Sequence, residues 1–282
     1  RITPCLPTSD RGRPVMTTHP NTNIGLLLHD VTDDVSNSGF QQPTAHRYKH
    51  SVAQFRQYLD HVQSSGLPVV TPDSPAAVPG QPVVTFTFDD GGASAPCAAD
   101  LLEERGWRGV FFITTGLLNL PGFMTDRQVV DLRRRGHMIG SHSCSHPDVF
   151  RSLSRKQMAD EWSRSRDVLQ QLIGEPISSA SIPGGDCNNA TIEEAFAAGL
   201  TQVFTSEQVT HSWSQGGATC FGRMMMLDNT SLETLNRWLT YPTVGILPER
   251  ALRFTKSHVK KLIGPVYLRL VQERRAMHEQ AK

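Results

Sequence analysis

Short apolar runs alternate with amphipathic stretches along most of the sequence. Residues 24–31 form the first run, which is apolar until polar groups close it, as is typical of a strand buried on both faces. Residues 51–64 then place apolar side chains three or four positions apart, which predicts an amphipathic helix ending near Gly66. The pattern therefore opens with a strand followed by a helix.

The same alternation continues towards the carboxyl end. Further short strands are predicted at residues 67–71, 83–88, 109–113, 138–141, 178–182, 202–205 and 223–227. Further helices are predicted at residues 95–104, 125–135, 154–173, 191–198 and 231–239. Strands that alternate with helices form a parallel sheet with the helices outside, and about seven or eight such units favour a closed or partly closed α/β barrel. In such barrels, functional side chains lie at the carboxyl ends of the strands.

The two ends of the chain have a different composition. Residues 1–23 are rich in Pro, Thr, Asn and Arg without apolar periodicity, and we expect a loosely ordered arm. Residues 24–245 form the predicted main domain. Residues 246–282 are predicted to be a basic helical appendage, broken at Gly264 and Pro265. This appendage either packs a solvated face on the barrel or makes a peripheral contact with an anionic surface or partner.

Composition narrows the class of protein. With 282 residues, 38% of them hydrophobic, one domain can bury a sizeable core. The formal net charge of +1 gives no general attraction for nucleic acid, and the apolar runs fall far short of the roughly 20 residues that span a bilayer. The five cysteines are odd in number and lack a C-x-x-C pair, which argues against a disulfide framework or a structural zinc site. We expect a cytoplasmic protein, with export after removal of a signal peptide as the alternative. The oligomeric state is left open.

Two adjacent carboxylates follow the predicted strand at residues 83–88. Asp89 and Asp90 are succeeded by Gly91 and Gly92, so a buried strand ends abruptly in two negative charges. Burying such a pair is costly unless a cation compensates it. The alternative interpretation is that one aspartate caps the helix that begins near Ala95.

Two histidines four residues apart follow the predicted strand at residues 138–141. In a loop or single turn, the spacing of His142 and His146 lets both imidazoles converge on one ion. Ser143 stands where a zincin helix would carry glutamate, which excludes that motif. Cys144, between the histidines, is interpreted as a small filler residue because no separate His–Asn relay accompanies it.

Taken together, the two motifs supply the groups that a metal-dependent hydrolase needs. Two imidazole nitrogens and one carboxylate oxygen make a three-ligand site with open positions, and the second carboxylate is then free to act as a base. A divalent ion lowers the pKa of bound water to about 7 and polarises a carbonyl group. The same donors also occur in non-haem iron oxygenases, but there the acid comes close after the first histidine on an all-β scaffold.

With these motifs the chain resembles the polysaccharide deacetylase family, also known as the NodB-homology or carbohydrate esterase 4 family. The resemblance covers roughly residues 24–239 and implies a distorted (β/α) barrel of about seven parallel strands. It implies a metal-dependent hydrolase that removes N-acetyl groups from an amino-sugar-containing glycan or glycan precursor. By this resemblance Asp89 is the catalytic base, and the ligands of one divalent metal ion, usually Zn²⁺, are Asp90, His142 and His146.

The sequence departs from the family pattern in two places. The late-strand histidine that protonates the leaving amine in many members is absent, but a subgroup carries a histidine after its first strand, so His29 is the candidate general acid. The family's third motif places an arginine two residues before a proline to orient the base, whereas this chain has Ser181 there. Asp89 therefore lacks its expected partner. The loop that follows is the candidate substrate contact, formed by Pro183, Gly184 and Gly185.

These departures keep one alternative open, a carbohydrate-binding protein of the same fold without turnover. A hydrolase of a non-sugar amide is a further alternative, because substrate loops vary faster than a metal site.

Overall fold

A computed structural model describes residues 22–74, 80–185 and 187–248. Its main sheet has nine strands in the order β11-β1-β4-β5-β6-β7-β8-β10-β9. All neighbours in this sheet are parallel except β10 and β9, which form an antiparallel hairpin. The strands are β1 Asn23–Leu28, β4 Val83–Phe88, β5 Val110–Ile113, β6 Met138–Ser141, β7 Ser179–Ser181, β8 Gln202–Phe204, β9 Ser212–Gln215, β10 Ala218–Phe221 and β11 Met224–Met225.

One continuous segment joins the two ends of the parallel sheet. Its first half, β10, pairs with β8, and its second half, β11, pairs with β1 only two residues later. The closed barrel therefore has seven strand positions. They are occupied by β1, β4, β5, β6, β7, β8 and the segment of residues 218–225. This closure confirms the predicted distorted (β/α) barrel of about seven strands.

The turn between β10 and β11 depends on Gly222. A Cβ atom at this position would lie 2.4 Å from the carbonyl oxygen of Val209 and 2.5 Å from that of Glu207. Backbone atoms cannot move aside as a flexible side chain would, so the close approach requires glycine. Arg223 follows directly and is fully buried. The closing turn thus carries a charged side chain into the barrel.

Six α-helices in the described ranges cover the barrel. They are α1 Val52–Ser65, α2 Ala95–Glu103, α3 Asp126–Arg134, α4 Arg155–Ile173, α5 Asn189–Ala197 and α6 Leu232–Thr240. Capping residues fix several of the ends: Ser154 and Gln157 form a capping box at the start of α4, and Gly66 ends α1 with φ of 69°. The buried stripe of α1, including Phe55 and Leu59, packs into the main core. Each such side chain stabilises the fold by about 1.5–3 kcal/mol.

A small second sheet lies beside the first strand. It pairs β2 Asp30–Val31 with β3 Lys49–His50 in parallel. Asp30 is buried and accepts hydrogen bonds from the hydroxyl groups of Ser38 and Ser94, and Lys49 donates to the carbonyl oxygens of Val35 and Ser38 at 2.7 and 2.6 Å. These bonds fix the loop between β2 and β3 against the barrel.

Three sequence predictions differ from the structure. Residues 67–71 form no strand and contribute a single bridge, between Val69 and Val84, because β1 pairs along one edge of β4 and β5 takes the other edge from Thr87 onwards. The first strand ends at Leu28, and His29 separates it from β2. Asn23, predicted to be part of the arm, begins β1 and accepts a hydrogen bond from Thr85 at 3.0 Å. The hairpin β9–β10 was not predicted.

Residues 1–21 of the predicted arm and residues 249–282 of the predicted appendage lie outside the described residues. Within the described ranges, every helix is too short or too polar to cross a bilayer. Among the described cysteines, Cys97, Cys144 and Cys220 are free thiols.

Candidate metal and catalytic site

The carboxyl ends of neighbouring strands bring the predicted site residues together. Asp89 and Asp90 follow β4, and His142 follows β6, with β5 between the two strands. The backbone N–H of His142 donates to the carbonyl oxygen of Ile113 at 2.8 Å, which continues the β5–β6 pairing into the site. Parallel strands end at the same edge of the barrel, so residues distant in sequence face one another.

Three possible ligand atoms converge at this edge. Oδ1 of Asp90 lies 3.3 Å from Nε2 of His142 and 3.4 Å from Nε2 of His146, and one donor atom from each residue lies within 4.8 Å of the others. Nδ1 of His142 lies 3.0 Å from the carbonyl oxygen of Ser181. A carbonyl can only accept, so Nδ1 carries the proton and Nε2 presents its lone pair to the site. This donor set fits one divalent cation.

Burial and close contacts shift the pKa values of Asp90 and His146 in the donor set. Burial raises the pKa of Asp90, but the charge of His29 and close contacts with His142 and His146 outweigh it, so the pKa lies well below its usual value. Burial lowers the pKa of His146, but its contact with Asp90 reverses that effect and raises the pKa overall. The carboxylate of Asp90 thus favours the protonated form of the His146 imidazole.

The backbone at the site is locally unusual. Three non-glycine residues here have left-handed φ angles: 73° at Asp90, 64° at Ser143 and 54° at His146. Such conformations are uncommon for residues with a Cβ atom and persist where the surroundings hold them. Two of the three residues are predicted metal ligands, so the strain lies in the segments that aim the ligand atoms.

Asp89 is held by a bidentate ion pair with Arg223. Nη1 of the arginine lies 2.7 Å from Oδ1 of Asp89, and Nη2 lies 3.0 Å from Oδ2. The hydroxyl of Ser181 donates to Oδ2 at 2.9 Å and accepts from Nη2 at 2.7 Å. Burial raises the pKa of Asp89, but the charge of Arg223 dominates the opposing effects, which lower the pKa overall. Asp89 is therefore kept ionised and fixed in direction.

Arg223 supplies the partner that the sequence analysis left unidentified. Its Nε donates to the carbonyl oxygen of Thr205 at 3.0 Å, and its guanidinium lies over the rings of Phe112 and Phe204, 5.6 and 5.9 Å from their centroids. The sequence held one signal for it. A charged residue stands directly before the apolar Met224 in a stretch predicted to be a buried strand.

His29 lies at the same edge, where the barrel leaves β1. Its charge lowers the pKa values of both Asp89 and Asp90. Its ring lies 4.7 Å from that of Tyr48, between centroids, and its buried Nδ1 has no hydrogen-bond partner among the described residues. The ring is thus near the carboxylates and has a nitrogen that no described residue contacts by a hydrogen bond.

Two loops flank the donor set. Pro183–Gly185 form a short turn after β7, in which Pro183 is buried and Gly184 is exposed. Across the site, Phe40 from the loop between β2 and β3 lies 4.8 Å from the ring of His146 and 5.3 Å from that of Phe123, between centroids. The structure thus adds an aromatic wall that the sequence analysis did not predict.

Comparisons with known proteins agree with this architecture. The sequence profile of the family described as polysaccharide deacetylase matches residues 76–203, a span that contains both predicted motifs. A chitin deacetylase of Colletotrichum lindemuthianum is 32% identical over 104 residues, which are 36% of this chain and 40% of that protein. A chitin deacetylase of Arthroderma benhamiae is 31% identical over 93 residues, 32% of this chain and 24% of that protein. The matches thus span less than half the length of these relatives.

Solved structures extend the likeness to most of the fold. The Streptococcus pyogenes deacetylase PplD in complex with acetate has a TM-score of 0.64 at 21% identity, covering 76% of this chain and 96% of that one. The structure of IcaB from Ammonifex degensii has a TM-score of 0.62 at 21% identity, covering 78% and 97%. Fold and site define an α/β-barrel protein with an Asp-His-His cluster at the carboxyl ends of its strands. Over residues 76–203 the chain is similar to the polysaccharide deacetylase family, as the resemblance of its motifs implied.

Proposed function

We propose that this protein is a metal-dependent deacetylase that hydrolyses N-acetyl groups of an amino-sugar-containing glycan or glycan precursor. The observation that carries the proposal is the juxtaposition of two sets of groups: the cluster of Asp90, His142 and His146, and the base Asp89 fixed by Arg223. The names of two relatives, both chitin deacetylases, support a glycan substrate.

The three clustered residues would hold one divalent cation, and Zn²⁺ suits two imidazoles and one carboxylate. When bound, such an ion supplies Lewis-acid polarisation of the amide carbonyl and makes water more acidic. The proton on Nδ1 of His142, held by the carbonyl of Ser181, keeps Nε2 available as a ligand.

Asp89 takes a proton from the attacking water. It is ionised because Arg223 lowers its pKa, and it cannot rotate because both carboxylate oxygens are hydrogen-bonded. Water adds to the carbonyl carbon to give a tetrahedral intermediate, and the C–N bond then breaks to release acetate and an amine.

The departing amine needs a proton, and His29 is the proposed donor. It lies near both aspartates, and its buried Nδ1 has no partner in the described part of the chain. The sugar would lie between the turn of Pro183, Gly184 and Gly185 and the aromatic wall of Phe40, whose ring adjoins His146.

Arg223 also bears on the alternative of a binding protein without turnover. That alternative rests on the missing arginine at position 181 and the missing late-strand histidine. The ion pair of Arg223 with Asp89 supplies the chemistry of the first from the turn between β10 and β11. The finding favours an enzyme over the binding protein.

The proposal is tested by acetate release from N-acetylglucosamine oligomers, with metal-stripped protein and with the same protein after addition of Zn²⁺. We expect release only with the ion, and none from fully deacetylated oligomers, which serve as the control. Tight Zn²⁺ binding without acetate release from any N-acetylated glycan would favour the binding protein instead.

A further inference from the structure

The carboxylate of Glu161, on α4, receives three hydrogen bonds from the loop that carries both histidines. Its Oε2 accepts from the backbone N–H groups of Cys144 and Ser145 at 2.9 and 2.8 Å. Its Oε1 accepts from the hydroxyl of Ser145 at 2.7 Å. Two consecutive amides that point at one oxygen form an anion-binding concavity, here filled by a side chain of the protein itself.

The loop needs such support because its conformation is unfavourable. Ser143 and His146, which lie on either side of the two bonded amides, both have left-handed φ angles. Within the loop, the backbone N–H of His146 donates to Oγ of Ser143 at 3.1 Å, a bond that does not reach the rest of the fold. External contacts must therefore hold the loop in place.

A second residue of α4 holds the start of the same loop. Ser165 lies four positions after Glu161, so both side chains project from one face of the helix. The hydroxyl of Ser141 donates to Oγ of Ser165 at 2.8 Å and accepts from the backbone N–H of Ser143 at 3.1 Å. Helix α4 thus fixes the loop at both ends.

The opposite side of the loop rests on the segment after β5. The backbone N–H groups of Thr115 and Gly116 donate to the carbonyl oxygens of Ser143 and Cys144 at 3.2 and 2.7 Å. A Cβ atom on Gly116 would lie 2.6 Å from the oxygen of Cys144, so the contact leaves no room for a side chain. The carbonyl side of the loop faces this segment, and its amide side faces Glu161.

We propose that Glu161 is a positioning residue for the metal site. Its carboxylate holds the loop amides so that the imidazoles of His142 and His146 point at Asp90 before a cation arrives. This inference rests on the proposed metal site. It adds a residue outside the two motifs, which acts through the backbone of the loop and touches neither the ion nor the substrate.

The test measures Zn²⁺ affinity of the full chain by competition with a chromophoric chelator. Glu161→Ala removes all three bonds, and we expect about tenfold weaker Zn²⁺ binding. Glu161→Gln keeps the size and one acceptor oxygen but loses the charge, and we expect an intermediate affinity. Asp160→Asn is the matched control: it removes the same charge from the exposed neighbouring position on α4 and should leave affinity unchanged.

A second readout separates positioning from general support of the fold. The thermal midpoint of the metal-free protein is measured for each variant, along with kcat and KM. In Glu161→Ala we expect Zn²⁺ affinity and kcat to fall. The thermal midpoint of the metal-free protein and KM should change little. Wild-type affinity in Glu161→Ala, or a fall in the metal-free midpoint alone, would overturn the inference. Failure of the wild-type protein to bind Zn²⁺ would instead overturn the proposed function on which it rests.

Discussion

Arg223 and Asp89 form a buried, two-pronged ion pair, with distances of 2.7 and 3.0 Å between nitrogen and oxygen. The arginine is fully buried, and the side chain of Asp89 is 4% exposed. The family pattern expects this arginine at the position of Ser181, 42 residues earlier in the chain. Here Ser181 joins the pair as a third member, so Asp89 has an arginine partner although serine stands at the usual position.

Replacing Arg223 should change the pH dependence of the reaction. Arg223→Lys keeps a positive charge but cannot make the two-pronged contact, and we expect kcat/KM to fall about 10²-fold because the base is misplaced. In Arg223→Met the charge that lowers the pKa of Asp89 is gone, while burial still raises that pKa. The base is then protonated at higher pH, so the acid limb of the kcat/KM profile should move upward. Arg56→Met, in an exposed pair with Glu104, is the control.

The effects of substitutions at Arg223 and Asp89 on the free energy of unfolding should not be additive. Arg223→Met leaves a buried carboxylate without its partner, which is expected to cost about 3–5 kcal/mol in the free energy of unfolding. The double variant Arg223→Met/Asp89→Asn removes both charges and should recover much of that loss without recovering activity. Urea denaturation of the two single variants and the double variant measures the coupling. Additive losses would contradict the account.

His29→Gln should impair the step in which the amine leaves. We expect a fall in kcat of about 10²–10³ on N-acetylated sugars, with Zn²⁺ binding retained, because a general acid contributes on this order. An aryl acetate has a leaving group that needs no proton, so the variant should lose much less activity on that substrate. Equal losses on the two substrates would argue against His29 as the proton donor.

His50 should make the folded protein sensitive to acid. It is fully buried, and burial lowers its pKa from 6.5 to about 4. Between these values the unfolded chain binds a proton that the folded chain does not, so stability falls as pH falls from 6.5 towards 4, by about 3 kcal/mol from this residue. His50→Phe should reduce the difference in unfolding free energy between pH 7 and pH 4.5. An unchanged difference, at an unchanged urea m-value, would contradict the assignment.

Local pattern predicted most of the barrel and the metal cluster. The apolar run at residues 83–88 is strand β4 with every residue buried, and the spacing of His142 and His146 indicated that they converge. Both signals are contained in a few consecutive residues. The strand predicted at residues 67–71 was wrong because pairing along β4 depends on which neighbours arrive from elsewhere in the chain.

The partner of Asp89 could not be predicted for a similar reason. Arg223 reaches Asp89 because residues 218–225 close the barrel between β8 and β1, and that closure brings together positions 134 residues apart. A sequence pattern shows that a charged residue lies beside a buried strand. It does not show which residue of opposite charge forms the ion pair. The position of Phe40 beside His146 could not be predicted either. The loop between β2 and β3, which carries Phe40, is fixed by Asp30, Ser94 and Lys49 from different elements.

The most direct test of the central claim measures bound Zn²⁺ and acetate release together in the wild type, Asp89→Asn and His142→Ala. The account predicts about one equivalent of zinc and turnover in the wild type, zinc without turnover in Asp89→Asn, and neither in His142→Ala. Full turnover in Asp89→Asn would contradict its role as the base, and undiminished zinc binding in His142→Ala would contradict the metal site itself.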